Sequence, residues 1–181
     1  ENFLKKKKDN KITILELGSF HGNSTAAFFF YFKYSQIYAG DIFPDLFRYH
    51  SNKINNFFVD TSSEESIQKN ILSKKIFYDL IIEDAGHFFK DQIISVFLLF
   101  RILKEKGVFV VEELDFPNIR KDMNIKNERP SLKEILKLVK ADKEFNSSYV
   151  SKEDKEYFIN NVSNISIFKG RFNEIAFIEK K

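Results

Sequence analysis

The sequence predicts an α/β fold, a doubly wound, mostly parallel sheet of seven strands with a C-terminal antiparallel hairpin. Three observations predict it. Short β-branched apolar runs alternate with segments of helical length, and such alternation means right-handed crossovers and a parallel sheet covered on both faces. Successive runs close on acids, which puts carboxylates at the carboxyl ends of the strands, where ligands bind in sheets of this kind. The length of 181 residues suits one domain over 1–181, since domains run to roughly 100 to 200 residues.

The elements follow in order. Lys11 to Leu17 is an apolar β-branched run ending at Gly18, and Asn23 to Tyr34 has helical length and composition. Gln36 to Ile42 and Ile54 to Val59 are two further strands, closing near Asp41 and Asp60, and Thr61-Ser-Ser-Glu64 reads as a capping box. Tyr78 to Ile82 is the fourth strand, Phe88 to Leu103 the next helix, and Gly107 restarts a buried-strand pattern over Val108 to Val111 that ends in Glu112 and Glu113. From Asp115 to Arg129 the chain is polar and aperiodic. Capping boxes at Ser131–Glu134 and Ser151–Asp154 start two more helices, the first running toward Lys143. Ile165 to Phe168 and Glu174 to Ile178, parted by Lys169-Gly-Arg-Phe-Asn173, read as the hairpin.

Composition excludes several functions. Apolar residues are 43% and charged residues 30%, enough for a core and a wet surface. With no cysteine there is no disulfide framework, thiolate metal site or cysteine nucleophile, so any metal sits on oxygen or imidazole ligands. A net charge of +3, to which Lys5 to Lys8 contribute a solvated run, does not announce a nucleic-acid partner. The longest apolar stretch, Ile93 to Phe100, is far short of the roughly 20 residues of a bilayer span. Glu1 stands in place of an initiator Met and no signal-peptide pattern follows it, which predicts a cytoplasmic protein or a piece cut from a longer one with residues missing upstream. The 22 Phe, beside many Ile, Lys and Asn, reflect AT-rich codons before they reflect function.

Glu16-Leu-Gly18-Ser19-Phe-His-Gly22 places an acid at a strand end and two glycines in the following turn, where a missing Cβ lets backbone and ligand come close. It is not the G-x-G-x-x-G of a dinucleotide turn, because Phe20 and Asn23 stand where glycines belong. The pattern E-x-G-x-x-x-G, with Asp41 at the second strand end, resembles motif one and its partner in the class I S-adenosylmethionine-dependent methyltransferases, and the resemblance covers essentially the whole chain. It implies a Rossmann-like fold and a cofactor-binding set. Gly18, Ser19 and Gly22 pack against the methionine and ribose parts, Asp41 bonds the ribose hydroxyls, Asp60 borders the adenine, and Glu16 braces the turn or the cofactor's amino end. His21 is expected in the same pocket, and His50 has no chemical role.

Glu83-Asp84-Ala-Gly-His87 and Glu112-Glu113-Leu-Asp115 pack acids into two neighbouring loops. Burying unpaired anions is costly, and a hard divalent cation on oxygen ligands offsets that cost. The stretch from Tyr78 to Leu114 resembles metal-dependent sugar O-methyltransferases of the macrocin and mycinamicin type, with Ala85-Gly86 where Gly-Ser is usual and Glu113 where Asp is usual. The resemblance implies Asp84, Glu112 and Glu113 as ligands of magnesium or a similar ion. It gives His87, beside Asp84, the role of base toward the substrate hydroxyl. A helix N-terminus lowers the pKa of that imidazole, whereas the carboxylates raise it.

The function expected is metal-assisted methylation of a sugar hydroxyl, on a nucleotide-linked sugar for bacterial surface polysaccharide or on a glycosylated metabolite. Residues 115–150 form an acceptor-recognition insertion, in which Phe116, Arg120, Lys121, Lys126 and Arg129 suit stacking and phosphate contacts. The expected partner is a small molecule rather than nucleic acid, and a homo-oligomer is allowed. The alternatives are a non-catalytic cofactor-binding module, or a methyltransferase acting on another small molecule or on nucleic acid.

Overall fold

A computed structural model describes residues 2–181, with side chains from Lys5 onward; Glu1, on which the reading of a missing leader rests, lies outside the described residues. The elements are α1 (Asn2–Lys7), β1 (Lys11–Leu17), α2 (Asn23–Tyr31), β2 (Tyr34–Asp41), β3 (Ile54–Phe58), α3 (Glu64–Asn70), β4 (Tyr78–Glu83), α4 (Phe89–Leu99), β5 (Leu103–Val111), α5 (Phe116–Ile119), α6 (Leu132–Lys140), α7 (Lys152–Asn161), β6 (Val162–Lys169) and β7 (Glu174–Lys180). The strands form one sheet in the order β3-β2-β1-β4-β5-β7-β6. Strands β1 to β5 pair in parallel, while β7 runs antiparallel to both β5 and β6. This is the mostly parallel seven-stranded sheet with a terminal hairpin that the sequence predicts.

Side chains alternate between the two faces of the sheet with the period of a strand. Ile12, Ile14, Leu80, Ile82, Val108 and Val110 pack on one face against Phe28, Phe29 and Phe32. Leu15, Leu17, Ile81, Phe109 and Val111 point the other way, toward Ile93 and Phe97 of α4, Leu136 of α6 and Phe158 of α7. The core therefore has two layers, and the order of strands sets β1 and β4 side by side at its centre. The sheet reverses direction of build-up at these strands, and their carboxyl ends open the crevice that holds the site.

Several boundaries differ from those the sequence predicts. The helix expected to reach Tyr34 ends at Tyr31, because Phe32 leaves the helical region and Tyr34 already pairs with Lys11 across β1 and β2. The cap of α3 is Ser63, which accepts from the Ser66 amide at 3.2 Å, rather than Thr61. The fifth strand starts at Leu103, not after Gly107. Its register slips between the Tyr78–Leu103 and Leu80–Val108 pairs, so Lys104 to Gly107 loop out and hide the strand from a periodicity reading. The α4 helix stops at Leu99 and gives way to a single 3-10 turn over Phe100–Ile102.

Lys180 marks where that helix ends. Its side chain is only 7% exposed, and Nζ donates to the carbonyls of Phe100 at 3.2 Å and Leu103 at 2.7 Å and to the Tyr157 hydroxyl at 2.8 Å. A buried ammonium without a carboxylate is held here by carbonyl oxygens at the negative end of a helix. Replacing it by Lys180→Met removes the charged donor from the Leu103 carbonyl and the Tyr157 hydroxyl and one of the two donors from the Phe100 carbonyl, which keeps the Leu103 amide, and hydrogen bonds to a charged donor contribute about 1.5 to 3 kcal/mol. Denaturant unfolding of Lys180→Met is expected to show a loss in that range, and an unchanged midpoint would remove this lysine from the account of stability.

Candidate active site

The site begins at the turn after β1. Gly18 and Gly22 both adopt left-handed backbone, with φ of 84° and 82°. A Cβ on Gly18 would lie 2.0 Å from the Asp84 carbonyl oxygen, and one on Gly22 would lie 2.5 Å from the Phe47 ring. Glycine is required at both positions by contact as well as by φ. Glu16, buried beneath the turn, accepts from the hydroxyls of Ser24 and Thr25 and so anchors the first turn of α2. Burial raises its pKa, with the two hydroxyl bonds opposing.

Asp41 at the end of β2 binds the same turn. Its two oxygens accept from the amides of Phe20 and Phe43, each at 2.8 Å, and lone pairs remain on both. Asp60 accepts from the amide and hydroxyl of Ser62, at 2.9 and 2.7 Å, through one oxygen. Gly18, Asp41, Asp60 and Asp84 together line an open cleft of about 380 Å³ across the carboxyl ends of β1, β2, β3 and β4. Phe20, Ile42, Thr61, Ser62, Phe88 and Asp91 also line it. The sequence marks none of these as site residues and offers Thr61 and Ser62 only as part of a helix cap, although an aromatic inside a glycine turn and an apolar residue just after a strand-end acid are signals for Phe20 and Ile42.

Glu16, Ser19 and Gly22 sit behind the cleft rather than on its wall, with the buried Ser19 hydroxyl unpartnered. His21 does not line it either. Its ring stacks on Phe20 with centroids 3.9 Å apart, and Nε2 lies 3.3 Å from an Arg48 guanidinium nitrogen.

Asp84 belongs to a second group. Asp84, His87 and Glu113 each present a ligand atom within 4.8 Å of the others. His87 Nε2 is 2.7 Å from Glu113 Oε2 and 3.8 Å from Asp84 Oδ1. Strand β5 ends at Val111, and Glu113 has a left-handed φ of 51°, so the chain turns between the two glutamates and sends Glu113 to the cluster while Glu112 stays outside it. Phe116, the first residue of α5, meets the His87 ring edge-on with centroids 5.7 Å apart, and the Arg120 guanidinium lies 5.1 Å over Phe116. Arg129 is drawn away by an ion pair with Glu134.

Burial governs the charges here. It pushes Glu83, fully buried, up to about 8 and Asp84 up to about 7, with Glu112 and Glu113 adding repulsion on Asp84. Burial followed by the Arg120 charge pushes His87 down to about 4, so the lowering influence prevails over the neighbouring carboxylates and the ring is neutral. One proton then serves the His87–Glu113 contact, carried by Nε2 or by the Glu113 carboxyl. Two carboxyls and an imidazole, short of positive charge, are a donor set that fits a hard divalent cation.

No protein-family model matches the chain, and no curated protein is similar enough to match it. Solved structures do match. A methyltransferase from the mycinamycin biosynthetic pathway, MycE, in complex with Mg, SAH and mycinamycin VI, superposes with a TM-score of 0.76 at 18% identity over 99% of this chain and 47% of that one. The fibrillarin pre-rRNA processing protein of Methanococcus jannaschii gives 0.57 at 17% identity over 96% and 68%. Human methyltransferase-like protein 13 in complex with SAH gives 0.56 at 16% over 97% and 74%. The fold is thus the one these methyltransferases share, and the chain spans about half the length of MycE.

The raised carboxyls make the metal-free protein pH-sensitive. A carboxyl with a raised pKa keeps its proton in the folded state after the unfolded chain has lost it, so stability falls as pH climbs from 4.5 through about 8 for Glu83. His87, lowered from 6.5 to about 4, acts oppositely, adding stability up to pH 6.5 and nothing further above it. In excess chelator, the unfolding free energy is expected to fall between pH 6.5 and 8, and Glu83→Gln to fall less and be the more stable at pH 8. Parallel profiles for the two proteins would show that Glu83 does not titrate in this window.

Proposed function

We propose that the chain transfers a methyl group from S-adenosylmethionine to a sugar hydroxyl with the help of a divalent cation. The carrying observation is that the cleft and the donor cluster meet at one residue, since Asp84 lines the first and belongs to the second. The likeness in fold to MycE, which was solved with Mg, SAH and a mycinamycin, supports the same reading.

Within it, Asp41 holds the ribose hydroxyls with the lone pairs its backbone bonds leave free, and Asp60 with Thr61 and Ser62 borders the adenine. Gly18 lets the methionine part approach the backbone, Glu16 keeps the turn in place, and Ser19 and Gly22 shape it from behind. Phe20 and Phe88 on the cleft wall exclude water. Asp84 and Glu113 hold the cation, and Glu112, outside the cluster, adds repulsion on Asp84 that the cation relieves. A bound magnesium ion supplies positive charge that favours the ionised acceptor hydroxyl and fixes its direction.

With Glu113 ionised on the cation and the ring proton on Nδ1, His87 Nε2, the nitrogen facing Asp84 and Glu113, is free to take the hydroxyl proton, and those carboxylates stabilise the imidazolium that forms. Displacement at an activated methyl group asks little more of a protein than alignment and proton removal. The segment 115–150 supplies the acceptor contacts, with Phe116 and Arg120 beside His87 and Ile119 and Ile125 exposed at its surface. A nucleotide-linked sugar for surface polysaccharide, or a glycosylated metabolite, fits an aromatic ring beside a guanidinium.

Isotopic methyl transfer to a panel of sugars and nucleotide-linked sugars tests this. Transfer is expected with magnesium, absent in excess chelator, and lowered about 10²- to 10⁴-fold in His87→Ala. SAH binding measured by calorimetry is expected to survive both changes, because its contacts lie in the cleft. Full turnover in chelator would contradict the cation, and no SAH heat at all would contradict the methyltransferase reading.

A further inference from the structure

We propose that Gln92 is a positioning residue for the Asp84–His87–Glu113 cluster, its buried amide tying the turn that carries Glu113 to the helix that starts two residues after His87. The proposal rests on the metal-assisted reading above. Gln92 is 0% exposed, and its Nε2 donates to the Glu113 carbonyl at 3.2 Å and to the Glu112 carbonyl at 3.5 Å. Its own backbone amide bonds the Phe88 carbonyl at 3.1 Å, inside the first turn of α4. A single side chain thus spans both loops from which the cluster is made.

Glu113 needs such a tie. A non-glycine residue with φ of 51° is held against its own preference, and persists only where the surroundings fix it. The far side of the turn is fixed by the Leu114 amide on the Glu174 carbonyl at 2.9 Å and by the Phe116 amide on the Glu113 carbonyl at 3.0 Å. On the near side the Glu112 amide bonds the Glu83 carbonyl at 2.9 Å, which holds the residue before Glu113 to β4, and Gln92 alone ties the turn to α4. Without Gln92, Glu113 loses the tie to the helix beside His87 that helps set its Oε2 2.7 Å from His87 and close to Asp84.

The amide also carries a cost that packing does not explain. Gln92 Oε1 is buried with no partner, next in sequence to the buried apolar Ile93 and Ile94. Leucine or methionine would fill the same volume and leave no oxygen desolvated. What they lack is the donor to the Glu112 and Glu113 carbonyls, so that donation is the feature peculiar to glutamine.

The test uses the full chain with Mn2+ as probe, titrated by electron paramagnetic resonance in the presence of SAH. Gln92→Leu and Gln92→Met are expected to bind Mn2+ about 10- to 100-fold more weakly than the native chain, the effect usual for a residue that orients metal ligands. Their SAH affinity is expected to stay unchanged and their melting temperature to change little, because relief of the unpartnered Oε1 offsets the lost donor to carbonyls of which that of Glu113 keeps the Phe116 amide, with turnover partly restored at high Mn2+. Native Mn2+ affinity in both variants would overturn the proposal, as would joint loss of SAH binding, Mn2+ binding and stability, which marks a purely structural amide. A native chain that binds no Mn2+ would instead overturn the metal-assisted reading, and this proposal with it.

Discussion

At Gly18 the turn after β1 and the loop after β4 touch backbone to backbone, so closely that any side chain there would overlap the Asp84 carbonyl. The contact is extended by the Asp84 amide, which donates to the Leu17 carbonyl at 3.0 Å and carries the pairing of β1 and β4 one residue past the strands. Everything proposed for the site depends on this approach. It places the residues that shape the cleft and those that form the donor cluster on two sides of a single junction, with Asp84 common to both.

The second constraint is electrostatic. Burial raises the pKa of Glu16, Glu83, Asp84, Asp91, Glu112 and Glu113, and the Arg120 charge lowers only the last of them. Each acid meets the cost differently. Glu16 is satisfied by two hydroxyl donors and works as a brace, and Glu83 is held as the neutral acid. Asp84 and Glu113 keep part of their surface open beside a neutral imidazole, the arrangement in which added positive charge has the most to gain. A fold that concentrates anions at strand ends without matching cations is poised for a charged ligand rather than for stability alone.

Strand ends were legible in the sequence because each combines an apolar β-branched run with an acid or a glycine turn, as at Glu16 to Gly22, Asp41, Asp60 and Glu83-Asp84. The seven strands and their sense follow from that alternation and from the hairpin around Gly170. What stayed hidden depends on events between elements. The loop-out of Lys104 to Gly107 breaks the period of β5, and the reversal at Glu113 separates two glutamates that look equivalent as a pair. His21 is turned to Arg48 by stacking on Phe20, a contact with no spacing signature. Gln92 left one faint trace, an amide set beside a run of apolar helix residues.

The central claim is that one cleft holds the cofactor and that the adjoining acids hold the cation. A crystal of the chain grown with SAH and Mn2+, measured at the manganese absorption edge, tests it most directly. The account predicts SAH in the cleft with its ribose on Asp41, and a single strong anomalous peak within bonding distance of Asp84 and Glu113. SAH bound in the cleft with the manganese peak elsewhere, or with none at these acids, would contradict it.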